Sequence, residues 1–193
     1  MASTCPLIGD SNGHYRVRVV GNSVAIWLAN QINVPYISLD QFYWQPDWKE
    51  TPRDEFRAQV YAALVNNKGG WVIDGNYTSH VGDLLDKEAT DIIWLDPPLL
   101  LYLPRICIRT FLRILSRSPP CSPGCQESIG RMFSSDSIVW WCITNHSTMR
   151  KRETEKMREL GIHNGGIMRR IGGWGHELWQ WKRQVQEVIS SQL

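Results

Sequence analysis

The chain has 193 residues, a formal net charge of +2 and ten tryptophans. That length is enough for one sizeable core, the charge is too small to drive nucleic-acid binding, and no apolar run approaches the ~18 residues of a membrane span. Five cysteines outside any small secreted framework point to reduced thiols and a cytoplasmic compartment.

Residues 1–14 are polar, contain Gly and Ser, and predict a flexible leader ahead of a domain over 15–193. Tyr15 to Val20 alternates toward an apolar end and predicts a strand, Gly21-Asn22-Ser23 a turn, and Val24 to Gln31 a helix. Tyr36 to Leu39 predicts a short strand ending in Asp40, followed by an irregular aromatic stretch with Phe42, Tyr43, Trp44, Pro46 and Trp48. Thr51 as N-cap and Pro52 as first helical residue open a helix over 53–66, with Phe56, Val60, Ala63 and Leu64 in its apolar stripe. Trp71 to Ile73 predicts a buried strand ending in Asp74-Gly75-Asn76-Tyr77, residues 81–89 a weak helix, and Asp91 to Leu95 a fourth strand that Asp96-Pro97-Pro98 stops.

Residues 99–117 predict a strongly apolar helix with a kink near Pro104. Residues 118–135 are rich in Pro, Cys and Gly and form a lid-like loop; Ser135 or Asp136 then caps a long helix through Leu160. A fifth strand over 165–171 and an amphipathic helix over 176–190 complete the chain. Strands alternating with helices predict an α/β fold: a parallel sheet of about five strands with helices on both faces and a lid-like insertion. Such sheets bind ligands at the carboxyl ends of their strands, which here carry Gly21, Asp40, Asp74 and Asp96.

Several residues at that edge have the chemistry for a site. Asp74 can hold Mg²⁺ through water, or belong with Gly75 to a plain turn. Gly75 lets the backbone approach a ligand, while Asn76 and Tyr77 are acceptor contacts or turn and core residues. Asp40 can bind or deprotonate an acceptor hydroxyl, or cap a helix. Tyr43, Trp44 and Trp48 can wall a stacking pocket or plug the core. Arg105, Arg109, Arg113 and Arg117 recur every four residues along one slowly drifting helical stripe. Arg105 and Arg109, nearest the strand end, are expected to line an anion site, with a solvated face as the alternative. Arg150, Lys151 and Arg152 make a second basic cluster after His146. Cys121 and Cys125 alone do not make a tetrahedral zinc site, although Cys142 and His146 share a face of the next helix.

The segments Tyr36-Ile37-Ser38-Leu39-Asp40-Gln41-Phe42-Tyr43-Trp44, Trp71-Val72-Ile73-Asp74-Gly75-Asn76-Tyr77 and Ile92-Ile93-Trp94-Leu95-Asp96-Pro97, in that order behind a Gly turn, carry a family likeness. The chain resembles, from Arg16 onward, the adenylate-kinase-like P-loop proteins labelled "DNA topology modulation" or flagellar-regulator proteins. The resemblance implies a three-layer nucleotide-kinase-like fold and Mg²⁺-dependent transfer of the ATP γ-phosphoryl group to a nucleotide or similar small acceptor. It implies nucleotide contacts from Gly21, Asn22, Ser23 and Arg150, phosphate contacts from Arg105 and Arg109 beside Asp74, and acceptor contacts from Asp40, Tyr43, Trp44, Gly75, Asn76 and Tyr77.

One departure is severe. A phosphate-binding loop reads G-x-x-x-x-G-K-[ST]. Here the run that the family pattern places between Ser23 and Val24 is missing, and no Lys or Arg appears between Arg18 and Lys49. Three functions compete: a nucleotide-kinase-like enzyme impaired by a deleted loop, a non-catalytic binding protein that keeps the fold, and weak nucleic-acid binding, which rests only on the family label and the basic clusters and against which the net charge argues.

Overall fold

The computed structural model of the chain describes residues 5–21, 24–132, 134 and 137–191. Five parallel strands, β1 (Arg16–Val20), β2 (Tyr36–Ser38), β5 (Trp71–Asp74), β6 (Asp91–Asp96) and β7 (Met168–Gly172), form one sheet in the order β2-β5-β1-β6-β7. Two-residue strands β3 (Trp44–Gln45) and β4 (Lys49–Glu50) pair antiparallel as a separate hairpin around a 3-10 turn at Pro46–Trp48.

Helices cover both faces, each of which carries buried apolar residues. On one side α1 (Ala25–Gln31) and α9 (His176–Ser190) pack Leu28, Trp181 and Val185 against Val17, Val19, Val72 and Ile93. On the other, α3 (Arg53–Asn66) and α5 (Leu84–Glu88) bring Phe56, Val60, Leu64 and Leu85 onto Ile37, Trp71 and Ile73. Further along this face, α8 (Ile138–Leu160) sets Met157 and Leu160 against Ile92, Trp94 and Met168. The short α2 (Leu39–Tyr43) and α4 (Thr78–Val81) follow the ends of β2 and β5, α6 (Leu99–Ile114) leads into the 118–135 segment, and α7 (Ile129–Met132) lies inside it. Among the described residues no helix is long and apolar enough to cross a membrane. The fold is therefore the three-layer α/β arrangement expected from alternating strands and helices.

Local differences from the sequence reading have local causes. Thr51 does not cap α3: its hydroxyl donates to the Phe42 carbonyl at 2.7 Å, and Pro52 takes the cap position. The helix expected over 81–89 is split by Gly82, which adopts φ of +62°. The helix expected to reach Arg117 ends at Ile114, and Ser116 turns into the left-handed region. The expected cap residues Ser135 and Asp136 lie outside the described residues; Ser137 caps α8 by accepting from the Trp140 N–H at 3.1 Å. The last strand starts at Met168, because Gly165 still closes a 3-10 turn.

Residues 5–14 of the expected leader pack onto the domain. Leu7 is buried among the α1–α9 residues, the Asp91 carboxylate accepts from the N–H groups of Ile8 (2.6 Å) and Gly9 (3.0 Å), and Trp181 Nε1 donates to the Pro6 carbonyl at 3.0 Å.

Candidate functional site

The site is set by the parallel pairing of β2 with β5, in which Ser38 lies opposite Asp74. One residue further, Gly75 has φ of +117°, and a Cβ there would stand 2.7 Å from the Leu39 Cβ. Only glycine lets the two chains come this close, and the approach sets Asp40 beside Asp74. Asp40 is not a strand end as expected but a first-turn residue of α2, where the helix dipole favours a carboxylate.

Each carboxylate has a tyrosine. The Tyr36 hydroxyl donates to Asp74, 3.1 Å from both oxygens, and the Tyr77 hydroxyl donates to Asp40 Oδ1 at 2.6 Å. Burial, and secondarily the Asp40 charge, push the Asp74 carboxyl up to about 7. Both tyrosines are also driven upward, first by burial and then by the neighbouring aspartate, so they stay donors. The arrangement is a buried acid beside a partly exposed carboxylate, a pairing that suits proton transfer to and from a hydroxyl.

Asp74 ties stability to pH. Its folded-state value of about 7 lies above the ordinary 3.8. Below the lower value both states hold the proton; between the two the folded chain keeps a proton that the unfolded chain has lost, so stability falls as pH rises. Urea denaturation should show Asp74→Asn gaining stability relative to the parent between pH 4 and pH 8. A difference that does not change with pH would disprove the raised carboxyl.

The arginine stripe divides. Arg109 is half-buried and lies in electrostatic reach of both Asp40 and Asp74; its buried Nε has no hydrogen-bond partner, and burial lowers its affinity for the proton. Arg105 is exposed. Arg113 bonds away from the pair: its Nε donates to the Pro119 carbonyl at 3.0 Å, and Nη1 lies 3.9 Å from Glu127. Arg117 lies past the end of α6.

Arg150 reaches a different carboxylate. Asp96, at the end of β6, accepts from Arg150 Nε at 3.1 Å and from Arg170 Nε at 2.8 Å. Asn76 is tied to α8, accepting from Arg152 and donating to Met149 Sδ at 2.9 Å. His146 meets the Tyr102 hydroxyl at 2.9 Å.

The aromatic residues are mostly used up by packing. Tyr43 is buried, with ring centroids 4.6 Å from Tyr77, 4.8 Å from Trp44, 5.1 Å from His80 and 5.6 Å from Phe56, so its faces are occupied. Trp44 also packs 5.5 Å from Trp48, whose ring lies under the Arg131 guanidinium at 4.2 Å.

Sequence reasoning missed two partners, Tyr36 and Arg170. Tyr36 had a usable signal: Tyr36 and Ser38 lie two apart, which points them to one side of β2, the side on which Ser38 pairs with Asp74. Arg170 had none, since only the β6–β7 register, with Trp94 opposite Arg170, brings it near Asp96.

The nucleotide end does not fit its expected ligand. Asn22 and Ser23 lie outside the described residues, but Gly21 follows β1 directly and Val24 already occupies the N-cap of the seven-residue α1, without a side-chain hydrogen bond. Three residues separate β1 from that cap, too few for an eight-residue phosphate loop. Among the described residues no group of three or more His, Cys, Asp or Glu is placed to hold a metal.

No protein-family model matches the chain. Over 71 residues it is 37% identical to the membrane protein insertase YidC of Vibrio cholerae serotype O1, a stretch that is 36% of this chain and 12% of the insertase; two further strains match alike. The chain thus matches 12% of the length of these curated relatives. Among solved structures it is similar to shikimate kinase from Bacteroides thetaiotaomicron, at 14% identity over 92% of this chain and 97% of that one, with a TM-score of 0.43. It is also similar to an uncharacterized protein from Eubacterium ventriosum, at 14% identity over 92% and 99% of the two chains, with a TM-score of 0.40. At these scores neither likeness bears on the site, which stands on the chain's own geometry.

Proposed function

We propose that this chain is a cytoplasmic acceptor-binding protein on a P-loop-kinase-like fold, with the acceptor half of a phosphotransfer site assembled and the nucleotide half missing. The observation that carries this reading is the Asp40–Asp74 pair at adjoining strand ends, each bonded by a tyrosine hydroxyl, with Arg109 in electrostatic reach. The five free cysteines support a reducing compartment.

In this reading Asp40 accepts the hydrogen bond, and then the proton, of an acceptor hydroxyl. Tyr77 holds one Asp40 oxygen and leaves the other for that contact. Asp74, whose carboxyl burial raises to about 7, limits the negative charge beside it. Arg109 faces the incoming phosphoryl oxygens. Gly75, Asn76 and Tyr77 shape the acceptor side, and the acceptor is a nucleotide or a similar small alcohol. ATP and Mg²⁺ belong to the resembled family, and no step is assigned to them in this chain.

The test uses a chain with Gly-Ser-Gly-Lys-Ser-Thr inserted between Ser23 and Val24, scored by ADP release over a panel of nucleosides, nucleotides and sugars. Asp40→Asn in that background should lower turnover about 10²-fold or more, the usual contribution of a placed general base. Turnover unchanged by Asp40→Asn would remove Asp40 from the chemistry. A second reading, binding without chemistry, is favoured by the three-residue link between β1 and the α1 cap.

A further inference from the structure

The segment at 121–126 lies on the β3–β4 hairpin and is joined to it by several independent contacts. The Ser122 hydroxyl donates to the Trp44 carbonyl at 2.7 Å, and the Cys125 thiol donates to the Gln45 carbonyl at 3.2 Å. From the hairpin side, the Asp47 N–H donates to the Gly124 carbonyl at 3.2 Å and Trp48 Nε1 to the Gln126 carbonyl at 2.9 Å. Gly124 is left-handed at φ +78° and lies so close to Pro46 that a Cβ would stand 2.8 Å from the proline Cβ. Ser122 and Cys125 are both buried by this docking.

The hairpin is strained where it is held. Asp47 and Trp48 both have φ of +61°, and for a residue as bulky as tryptophan that is a genuine outlier. Such strain persists only where the surroundings over-determine it, and it gathers in clamps and switch segments. Here the surroundings are the lid itself: Gly124 and Gln126 carbonyls on the two strained residues, and the Arg131 guanidinium on the Trp48 ring.

The latched hairpin adjoins the candidate site through packed rings: Trp44 lies 4.8 Å from Tyr43, and Tyr43 lies 4.6 Å from Tyr77, whose hydroxyl donates to Asp40. Cys121, at the start of the docked segment, is in electrostatic reach of both Asp40 and Tyr77. The loop's other end is anchored to α6 through Arg113, which bonds Pro119 and approaches Glu127. Hairpin and loop therefore meet next to the Asp40 side of the carboxylate pair.

We propose that residues 121–126 form a lid that the chain's own bonds latch shut on the 44–50 hairpin, and that parting the two widens access to the partly exposed Asp40. A lid expected from sequence to be mobile is then closed by default, with strain at Asp47 and Trp48 released on opening. The proposal goes beyond phosphoryl transfer and holds equally for a non-catalytic binding protein.

Its test needs no ligand. Alkylation of the full chain by iodoacetamide, resolved by mass spectrometry for each cysteine, compares Cys125 with exposed Cys5 and with Cys142, buried in α8. Cys125 should react more slowly than Cys5 and faster than Cys142. Ser122→Ala and Trp48→Phe should each raise the Cys125 rate about fivefold, and together about twenty-five-fold, for lost bonds of typical strength. Urea midpoints measured alongside separate latch opening from global unfolding. Cys125 as fast as Cys5 would mean no latch exists. Cys125 as slow as Cys142 would mean that the lid opens only when the whole chain unfolds. Should a variant unfold, the ordering of the three rates in the parent chain decides the proposal by itself.

Discussion

Calorimetry should find ATP binding to this chain at millimolar strength or weaker, and insertion of Gly-Ser-Gly-Lys-Ser-Thr between Ser23 and Val24 should bring it into the micromolar range. A phosphate loop supplies three or four charge-assisted contacts worth roughly 1.5–3 kcal/mol each, or about 5–10 kcal/mol together. Micromolar binding amounts to only about 8 kcal/mol, so losing the loop removes most of it. The α1 terminus does not replace these contacts: the helix has seven residues, and Val24 at its N-cap offers no side-chain hydrogen bond. Phosphoryl transfer should follow the same pattern, because the missing lysine also stabilises charge in the transition state. Micromolar binding by the parent chain would show that other groups hold the phosphates. A folded inserted chain that is silent on every acceptor would favour binding without chemistry.

Asp86→Ala should lower stability by about 3–5 kcal/mol, the usual cost of removing one partner from a buried ion pair. Arg18, in the middle of β1, has no solvent exposure. Its guanidinium bonds Asp86 and, at 3.1 Å, the Thr78 hydroxyl, while Lys156 from α8 reaches the other Asp86 oxygen at 2.6 Å. One carboxylate thus compensates two cations, and deleting it leaves Arg18 enclosed with no counter-charge. For a chain of this size the loss corresponds to a fall in melting temperature on the order of 10 °C. The double change Arg18→Met/Asp86→Leu should recover most of it, since an apolar pair of similar volume needs no counter-charge. A melting temperature for Asp86→Ala within 2 °C of the parent would mean that water or another group reaches Arg18.

The elements of the fold were legible where the signal is local. Helix α9 runs over the residues its apolar stripe predicts, with Trp181 and Val185 buried. Strands β1, β5 and β6 coincide closely with their apolar runs, because central strands covered on both faces read as continuous hydrophobic stretches. At the site, Asp40, Asp74, Gly75 and Tyr77 were visible as chemistry-bearing residues after strands. The three-residue link between β1 and the α1 cap was visible too, since the number of residues between two elements is written directly in the chain.

Pairwise geometry was not legible, since it depends on which strands become neighbours. Tyr36 meets Asp74 only because β2 lies beside β5, and Arg170 meets Asp96 only because β7 lies beside β6. The stacking role open to Tyr43 from its composition is excluded by the four rings packed around it.

Sequence by itself determined the alternation of strands and helices, the carboxyl-edge placement of the aspartates and the short link between β1 and α1, all of which depend on neighbours along the chain. Tertiary structure alone decided the fate of Arg18 and of the lid. In Arg16-Val17-Arg18-Val19 the period of two suggests one solvated face, yet the second helical layer covers that face and encloses Arg18 with Asp86. Likewise the Pro-, Cys- and Gly-rich loop has the composition of a free segment, and it is held because backbone carbonyls 78 and 80 residues away accept its Ser122 and Cys125 side chains. Contacts at that separation depend on how the chain closes in space, which no local pattern of residues records.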